Sequence, residues 1–135
     1  MTRNGVTKPL SHFVIDNVDK VTIMDYQNTI NPILSGALDH LVYASSLNKK
    51  VTIAFETGPE GPTVTFKTMN ATYLESIIAL AKANFSAYAS FDSIAIHDYN
   101  NYNNLSEVNT SVIDPANPRD LYMWYEPVAI LPGAG

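Results

Sequence analysis

Three short apolar segments alternate with two amphipathic helical patterns, and this alternation constrains the fold more than any other feature of the sequence. The apolar segments are residues 18–26, 51–56 and 93–99, and β-branched residues are frequent in them, as they are in strands. Near-continuous apolar strands separated by amphipathic helices are typical of a parallel sheet covered by helices. The sequence therefore predicts an α/β fold containing a parallel β-α-β-α-β unit.

Each of the two intervening segments has an apolar face with helical spacing. In the first, Asn31 suits the N-cap, and Pro32 suits the next position because its missing N–H costs nothing there. The apolar face of this helix comprises Leu34, Ala37, Leu38, Leu41 and Val42. In the second, Thr72 and Glu75 have the spacing of a capping box. Its apolar face comprises Leu74, Ile77, Ile78, Ala81, Phe85 and Tyr88.

The predicted unit spans residues 18–105 and is flanked by two other segments. Residues 1–17 are a lead-in that contains the helical or loop stretch PLSHFVID. Residues 106–135 are a tail rich in Asn and Pro, and residues 100–118 have the composition of a loop. The apolar stretch LYMWYEPVAIL within the tail predicts an extra strand, which Pro127 interrupts.

Composition excludes several classes of function. The formal net charge is −5 and the pI is about 4.9, which argues against nucleic-acid binding because phosphate backbones need a basic face. The chain has no cysteine, so disulfides, thiolate metal sites and cysteine nucleophiles are excluded. The N-terminus shows no signal peptide, and no apolar run approaches the ~20 residues of a membrane span.

Four Asn-x-Ser/Thr sequons begin at Asn70, Asn84, Asn104 and Asn109. They favour a secreted source, because the sequon is the acceptor for N-glycosylation. An Asn-rich sequence also produces sequons by chance, so the localisation stays open.

Acidic residues end all three predicted strands. Asp25 follows Ile23-Met24, Glu56 ends the second strand, and His97-Asp98 ends the third. Because the carboxyl ends of parallel strands meet at one edge of the sheet, these side chains are expected to lie there together. Carboxylates on neighbouring strands suit general acid/base chemistry or glycosyl transfer, which makes Asp25 and Glu56 the candidate catalytic residues.

Strand alternation predicts which side chains share a face. Met24, Tyr26 and Glu56 are expected on one face, together with either His97 or Asp98. Tyrosine rings beside acids suit a sugar site, because a pyranose packs on a ring while its hydroxyls bind carboxylates. The candidate substrate-binding residues are therefore Met24, Tyr26, His97, Asp98 and Tyr99. Tyr102 also qualifies, although a tyrosine here can simply cover the strand end.

Other roles remain open for the same residues. Acids at strand ends also cap the following helix or pair with lysine. Glu56, His97 and Asp98 could form an acidic metal site, although no spacing motif supports one. No Gly-rich phosphate loop, nucleophile elbow or nicotinamide fingerprint is present, and no cofactor is predicted.

The stretches VDKVTIMDYQNT, KKVTIAFETG and FDSIAIHDYNNY resemble the sixth, seventh and eighth strands of a TIM-barrel family of glycoside-hydrolase-like proteins. IMDY is similar to the Met-x-Tyr-Asp signature of chitinase-like (family 18) barrels, whose side chains line the sugar site. Met24 and Tyr26 match this signature, and Gln27 stands where it has an aspartate. Glu56 ends the strand on which many retaining barrel glycosidases keep their nucleophile.

The resemblance implies a partial (β/α)8 barrel, because a complete one needs eight strands and about 250 residues. The strand-four acid/base that the resemblance implies has no counterpart in the chain. The sequence therefore predicts a carbohydrate-related, glycoside-hydrolase-like piece that is inactive alone and is completed by a missing barrel segment or a second copy. The alternatives are a non-catalytic carbohydrate-binding or structural module and a small open α/β domain with an acidic metal site.

Overall fold

The computed structural model describes residues 1–105 and, as backbone only, residues 121–124. Its elements in chain order are β1 (Thr2–Arg3), β2 (Val6–Thr7), α1 (Leu10–Asp16), β3 (Lys20–Met24), α2 (Ile30–Ser46), β4 (Lys50–Glu56), α3 (Ala71–Phe85), β5 (Phe91–His97), α4 (Tyr99–Asn103) and β6 (Leu121–Trp124). The predicted alternation of three strands and two long helices is confirmed. The expectations for residues 106–120 and 125–135 lie outside the described residues.

Strands β3, β4, β5 and β6 form one parallel sheet in that order. Val21 neighbours Val51 across the first pair, and Ile94 neighbours Leu121 across the last. The tail thus adds a strand, as its apolar composition predicted. Over the described residues the sheet is open, with β3 and β6 at its two edges and no closed barrel.

Helices α2 and α3 cover one face of the sheet, and apolar side chains between them form the core. These buried residues include Ile33, Ala37 and Leu41 of α2, Ile53 and Phe55 of β4, Leu74 and Ile78 of α3, and Ile94 and Ile96 of β5. Burial of this apolar surface is the main force holding helices to sheet. The predicted α2 face is too wide, because Leu38 and Val42 are exposed and the buried stripe follows the i, i+4 spacing from Ile33.

The opposite face of the sheet has a different character. By register and alternation it presents Thr22 and Met24 of β3, Thr52, Ala54 and Glu56 of β4, and Ser93, Ala95 and His97 of β5. In a closed parallel barrel this face, away from the helices, is the interior. Apart from Met24, the side chains on this face are small or polar. The two that can take part in acid/base chemistry, Glu56 and His97, lie at the carboxyl end of the strands.

The lead-in contains a hairpin that the sequence interpretation missed. Strands β1 and β2 pair antiparallel, with Thr2 opposite Thr7. Asn4 and Gly5 turn between them with φ angles of 52° and 78°, and Asn-Gly is the preferred pair for such a turn because both residues tolerate positive φ. Helix α1 then occupies most of the PLSHFVID stretch.

Both long helices begin earlier than the caps predicted from the sequence. Helix α2 begins at Ile30 after Thr29, which places Pro32 inside the first turn, where backbone N–H groups have no helical partner. Helix α3 begins at Ala71, and the side chain of Asn70 accepts a hydrogen bond from the Tyr73 amide at 2.7 Å. Asn70 is therefore the N-cap, and the predicted capping box at Thr72 and Glu75 is wrong.

Strand ends and the following segment also differ from expectation. β3 ends at Met24, so Asp25 and Tyr26 lie in the loop, and β5 ends at His97. Residues 99–103 form the short helix α4 where a loop was predicted. Asp98 explains this helix, because its carboxylate accepts the Asn101 amide hydrogen bond at 3.0 Å and caps the N-terminus.

Candidate functional site

Glu56 and His97 form an ion-pair-type contact at the carboxyl end of β4 and β5. The two residues are register partners, so their side chains emerge on the same face of the sheet. Nδ1 of His97 lies 3.1 Å from Oε1 and 3.0 Å from Oε2 of Glu56. The Glu56 side chain is only 4% exposed and that of His97 is 24% exposed. The Glu56 carboxylate is thus buried, and the His97 imidazole that contacts it is partly exposed to solvent.

A backbone amide also holds the Glu56 carboxylate. The Gly58 amide donates to Oε1 at 2.7 Å. A Cβ at position 58 would lie 2.9 Å from the same oxygen, so any other residue there would displace the Glu56 carboxylate from this position. The carboxylate is therefore held by the His97 imidazole and by a backbone amide.

The loop after β4 is fixed to the sheet around this carboxylate. Thr57 donates from its amide to the His97 carbonyl at 2.7 Å and is fully buried. The Thr65 hydroxyl donates to the Gly58 carbonyl at 2.7 Å, and the Phe66 amide donates to the Glu56 carbonyl at 2.8 Å. These bonds hold the Glu56–His97 pair in one geometry, as a binding or catalytic site requires.

Asp25 lies on the other side of the sheet, against helix α2. The chain leaves β3 through two tight hydrogen bonds, from the Asp25 amide to the Ile23 carbonyl and from the Gln27 amide to the Asp25 carbonyl. A Cβ at Gly36 of α2 would lie 2.5 Å from Oδ1 of Asp25. Glu56 ends β4 as predicted, whereas Asp25 lies one residue past the end of β3, and the structure directs the two carboxylates to different faces.

The Asp25 carboxyl group is buried without full compensation. The residue is 8% exposed, and its Oδ2 atom is buried with no hydrogen-bond partner among the described residues. Burial raises the pKa of Asp25 to about 6, because a charged carboxylate is poorly solvated there. A buried acid with a raised pKa is the electrostatic profile of a functional carboxyl group, although here it faces the helix layer.

The remaining predicted substrate-binding residues fall into two groups. Met24 is 58% exposed on the Glu56 face, and Tyr99 is 37% exposed at the start of α4, so both are accessible at the carboxyl edge. Tyr26 is partly buried in the loop after β3. Asp98 is buried, and its carboxylate accepts hydrogen bonds from the backbone amide and from Nδ2 of Asn101. Asp98 is therefore the N-cap of α4. The peptide bond joining His97 and Asp98 is cis.

Asn28 joins the loops at the carboxyl edge, and the sequence interpretation missed its role. Its Nδ2 donates to the carbonyls of Pro62 and Thr65 at 2.7 and 2.8 Å, and its amide donates to the Thr63 carbonyl at 3.2 Å. Its own carbonyl accepts from the Tyr73 hydroxyl at 2.7 Å. Residues 23–28 and 96–101 share the pattern Ile-x-Asp-Tyr-x-Asn, which ends in Asn28 and Asn101. This repetition was the sequence feature that could have drawn attention to Asn28.

Tyr102 has a structural role beneath the edge. It is buried, and its hydroxyl donates to Oε1 of Glu75. Burial raises the pKa of Glu75, and burial together with the Glu75 carboxylate raises the pKa of Tyr102. The pair anchors α4 to α3, so Tyr102 covers the strand end and does not face a ligand.

Neither a cluster of metal-ligating side chains nor a membrane-spanning helix is found among the described residues. Among residues 1–105 and 121–124, no three His, Asp or Glu side chains come close enough together to hold a metal ion. Asp98 illustrates why, because its carboxylate bonds Asn101 while His97 bonds Glu56. In the same part of the chain, no helix has the length and apolar character needed to cross a membrane.

Comparison with known proteins identifies no similar protein. No family model matches the chain, and neither a curated protein nor a solved structure gives a significant match.

Proposed function

We propose that this chain supplies the carboxyl edge of a glycoside-hydrolase-like barrel and that the edge takes carbohydrate. The observation that carries the proposal is the Glu56–His97 pair, which lies at the carboxyl end of parallel strands on the face away from the helices. Ligands of parallel α/β sheets bind at this end. The likeness of IMDY to the sugar-lining signature of chitinase-like barrels points to the same edge.

In this proposal Glu56, His97 and the residues beside them each have a distinct task. Glu56 provides the negative charge, which accepts sugar hydroxyl groups or stabilises a positively charged sugar transition state. His97 hydrogen-bonds that carboxylate and keeps it oriented. Met24, Tyr26 and Tyr99 supply apolar and aromatic surface for a sugar ring beside it.

The single chain binds but does not hydrolyse in this account. Glycoside hydrolysis needs two carboxyl groups across the scissile bond, about 5 to 9.5 Å apart. Asp25 is turned toward Gly36 on the helix side, so of the two predicted acids only Glu56 lies on the binding face. Non-catalytic carbohydrate binding is therefore the activity that the isolated chain supports best, and hydrolysis requires a second carboxylate from elsewhere.

A binding and turnover assay with matched variants tests this proposal. Monomeric wild-type protein is expected to bind a set of oligosaccharides and to leave chromogenic glycosides uncleaved. Tyr99→Ala should weaken binding at least tenfold, because stacking surface is lost. Leu80→Ala, which removes an exposed side chain from α3 on the other side of the molecule, should leave binding unchanged.

Glu56 separates the catalytic and non-catalytic interpretations. If wild-type protein cleaves a glycoside and Glu56→Gln does not, Glu56 is a catalyst in the chain itself. If Glu56→Gln and Asp25→Asn both bind as wild type while Tyr26→Ala does not, the protein is an aromatic-based binding module. Absence of binding to every saccharide in the set contradicts the carbohydrate proposal.

A further inference from the structure

We propose that a second copy of this chain completes the sheet, with β6 of one protomer pairing parallel to β3 of its partner in an eight-stranded barrel. This inference rests on the proposed function, because it names the partner that completes the same edge. It is carried by three observations: the exposure of β3, an apolar groove beside it, and the number and direction of the strands.

Among β3, β4 and β5, the edge strand β3 is the exposed part of the face opposite the helices. Lys20, Thr22 and Met24 are exposed there, whereas the residues of β4 and β5 on the same face, Thr52, Ala54, Ser93 and Ala95, are buried. Parallel sheets normally have both faces covered, and an open edge strand presents unpaired backbone groups. A partner at this edge would cover the strand whose side chains are the most exposed on this face among β3, β4 and β5.

An apolar groove adjoins the same edge. A cavity of about 310 Å³ lies between the N-terminal hairpin, α1 and the segment that leads into β3. Its lining includes Met1, Leu10, Phe13, Val14 and Val18. Leu10 and Val14 lie one helical turn apart and are 60% and 43% exposed. Exposed apolar surface that continues from an open strand edge is typical of a protein–protein contact.

Strand number and direction favour a second copy as the occupant. The described sheet has four parallel strands, so two copies provide eight, the number at which side chains just fill the interior of a barrel. Because all four strands run the same way, β6 of each copy meets β3 of the other in parallel. A twofold axis along the barrel then makes the two junctions identical, and the assembly closes as a dimer.

Closure also supplies what the site lacks. The carboxyl ends of all eight strands would lie at one end of the barrel, so two Glu56–His97 pairs would share one mouth. The partner's Glu56 would then be the second carboxyl group that glycoside hydrolysis requires. The dimer is thus the form of this chain in which turnover becomes chemically reasonable.

Light scattering after size exclusion tests whether the dimer exists. Wild-type protein is expected to change from monomer to dimer as its concentration rises. Val14→Glu, in the groove beside β3, should raise the dimer dissociation constant at least tenfold. Leu80→Glu places the same charge at a similarly exposed position on α3 and should leave it unchanged. A monomer up to the highest soluble concentration, or equal effects of the two variants, overturns the proposal.

Cysteine cross-linking tests which strands meet, and the chain has no native cysteine to interfere. Thr22→Cys is combined in turn with a cysteine at each of positions 121 to 124. Within one chain β3 and β6 are three strand spacings, about 14 Å, apart, which a disulfide cannot bridge. We expect a covalent dimer from at least one double variant and none from Thr22→Cys alone. Cross-linking by Thr22→Cys alone would show β3 pairing with β3 and would overturn the closed barrel.

The outcome is separable from that of the proposed function. A monomer that binds oligosaccharides retains the carbohydrate site and removes the barrel dimer. A cross-linked dimer that binds no saccharide retains the dimer and removes the carbohydrate site.

Discussion

At the level of a single residue, burial of the Asp25 carboxyl group at the carboxyl edge of the sheet lowers the stability of the folded protein. Its Oδ2 atom is buried and has no hydrogen-bond partner in the part of the chain that the structure describes, and an unpaired buried polar group is unfavourable. Gly36 reduces the crowding, because any Cβ there would collide with Oδ1, although glycine within a helix costs about 1 kcal/mol relative to alanine. Two unfavourable features therefore meet at one contact between α2 and the end of β3.

The pH dependence of Asp25→Asn tests this interpretation. In the folded protein the pKa of Asp25 is about 6, against an ordinary value of 3.8. Between these values the folded state holds a proton that the unfolded state has released, so the free energy of unfolding falls as pH rises from about 4 to 6. Asp25→Asn should match wild type below pH 4 and exceed it by about 3 kcal/mol above pH 6.5. Chemical denaturation across this pH range measures the difference.

Asp92 provides a control of opposite sign. The Lys20 ammonium group bonds its carboxylate at 2.7 Å and lowers the pKa of Asp92. Its contribution is present above the ordinary pKa and is lost as pH falls, so Asp92→Asn should lose stability relative to wild type as pH rises. A stability difference for Asp25→Asn that does not change with pH, or that changes as it does for Asp92→Asn, would refute the assignment.

Helix α3 matters to the site at the level of the element. It begins directly after the loop that carries Gly58 and Thr65, and its residue Tyr73 bonds the Asn28 carbonyl. The N-cap at Asn70 therefore fixes both the start of the helix and the end of the loop that holds Glu56. A weaker cap would loosen the first turn and, with it, the contact between Tyr73 and Asn28.

Replacement of the two candidate caps distinguishes them. Asn70→Ala should lower the free energy of unfolding by about 1 kcal/mol, because the Tyr73 amide loses its acceptor. Thr72→Ala, two positions later on the exposed side of the helix, should change it by no more than about 0.5 kcal/mol. Urea denaturation of both variants checks the difference. An equal or larger loss for Thr72→Ala would restore the capping box as the start of α3.

At the level of the whole molecule, the sequence predicted the layer arrangement but only part of the site. Alternation of apolar strands with amphipathic helices was enough for the parallel sheet and for the edge at which Glu56 and His97 lie. It left His97 and Asp98 as alternatives, because the β4–β5 register shifts between Val51 and Thr52, and a one-residue change moves every side chain to the other face. Only the pairing itself shows that His97 is the partner of Glu56.

The rest of the site depended on contacts between distant segments. Asp25 was expected beside Glu56, but β3 ends at Met24 and tight turns direct the chain toward α2. Asn28 bonds a loop more than thirty residues away, which no local pattern predicts. Helix α4 was missed because Asn-rich sequence suggests a loop, whereas the Asp98 cap and the Tyr102–Glu75 bond stabilise a helix.

We propose that saccharides bind at the carboxyl edge beside Glu56 and His97, on the face away from the helices. Amide chemical shifts measured by NMR during titration with oligosaccharides locate such binding residue by residue. We expect concentration-dependent shifts at Tyr26, Glu56, Gly58, His97 and Tyr99, with little change along the groove between α2 and α3 that Leu34 and Leu38 line. Shifts confined to that groove, or no shift with any saccharide, would refute binding at the carboxyl edge.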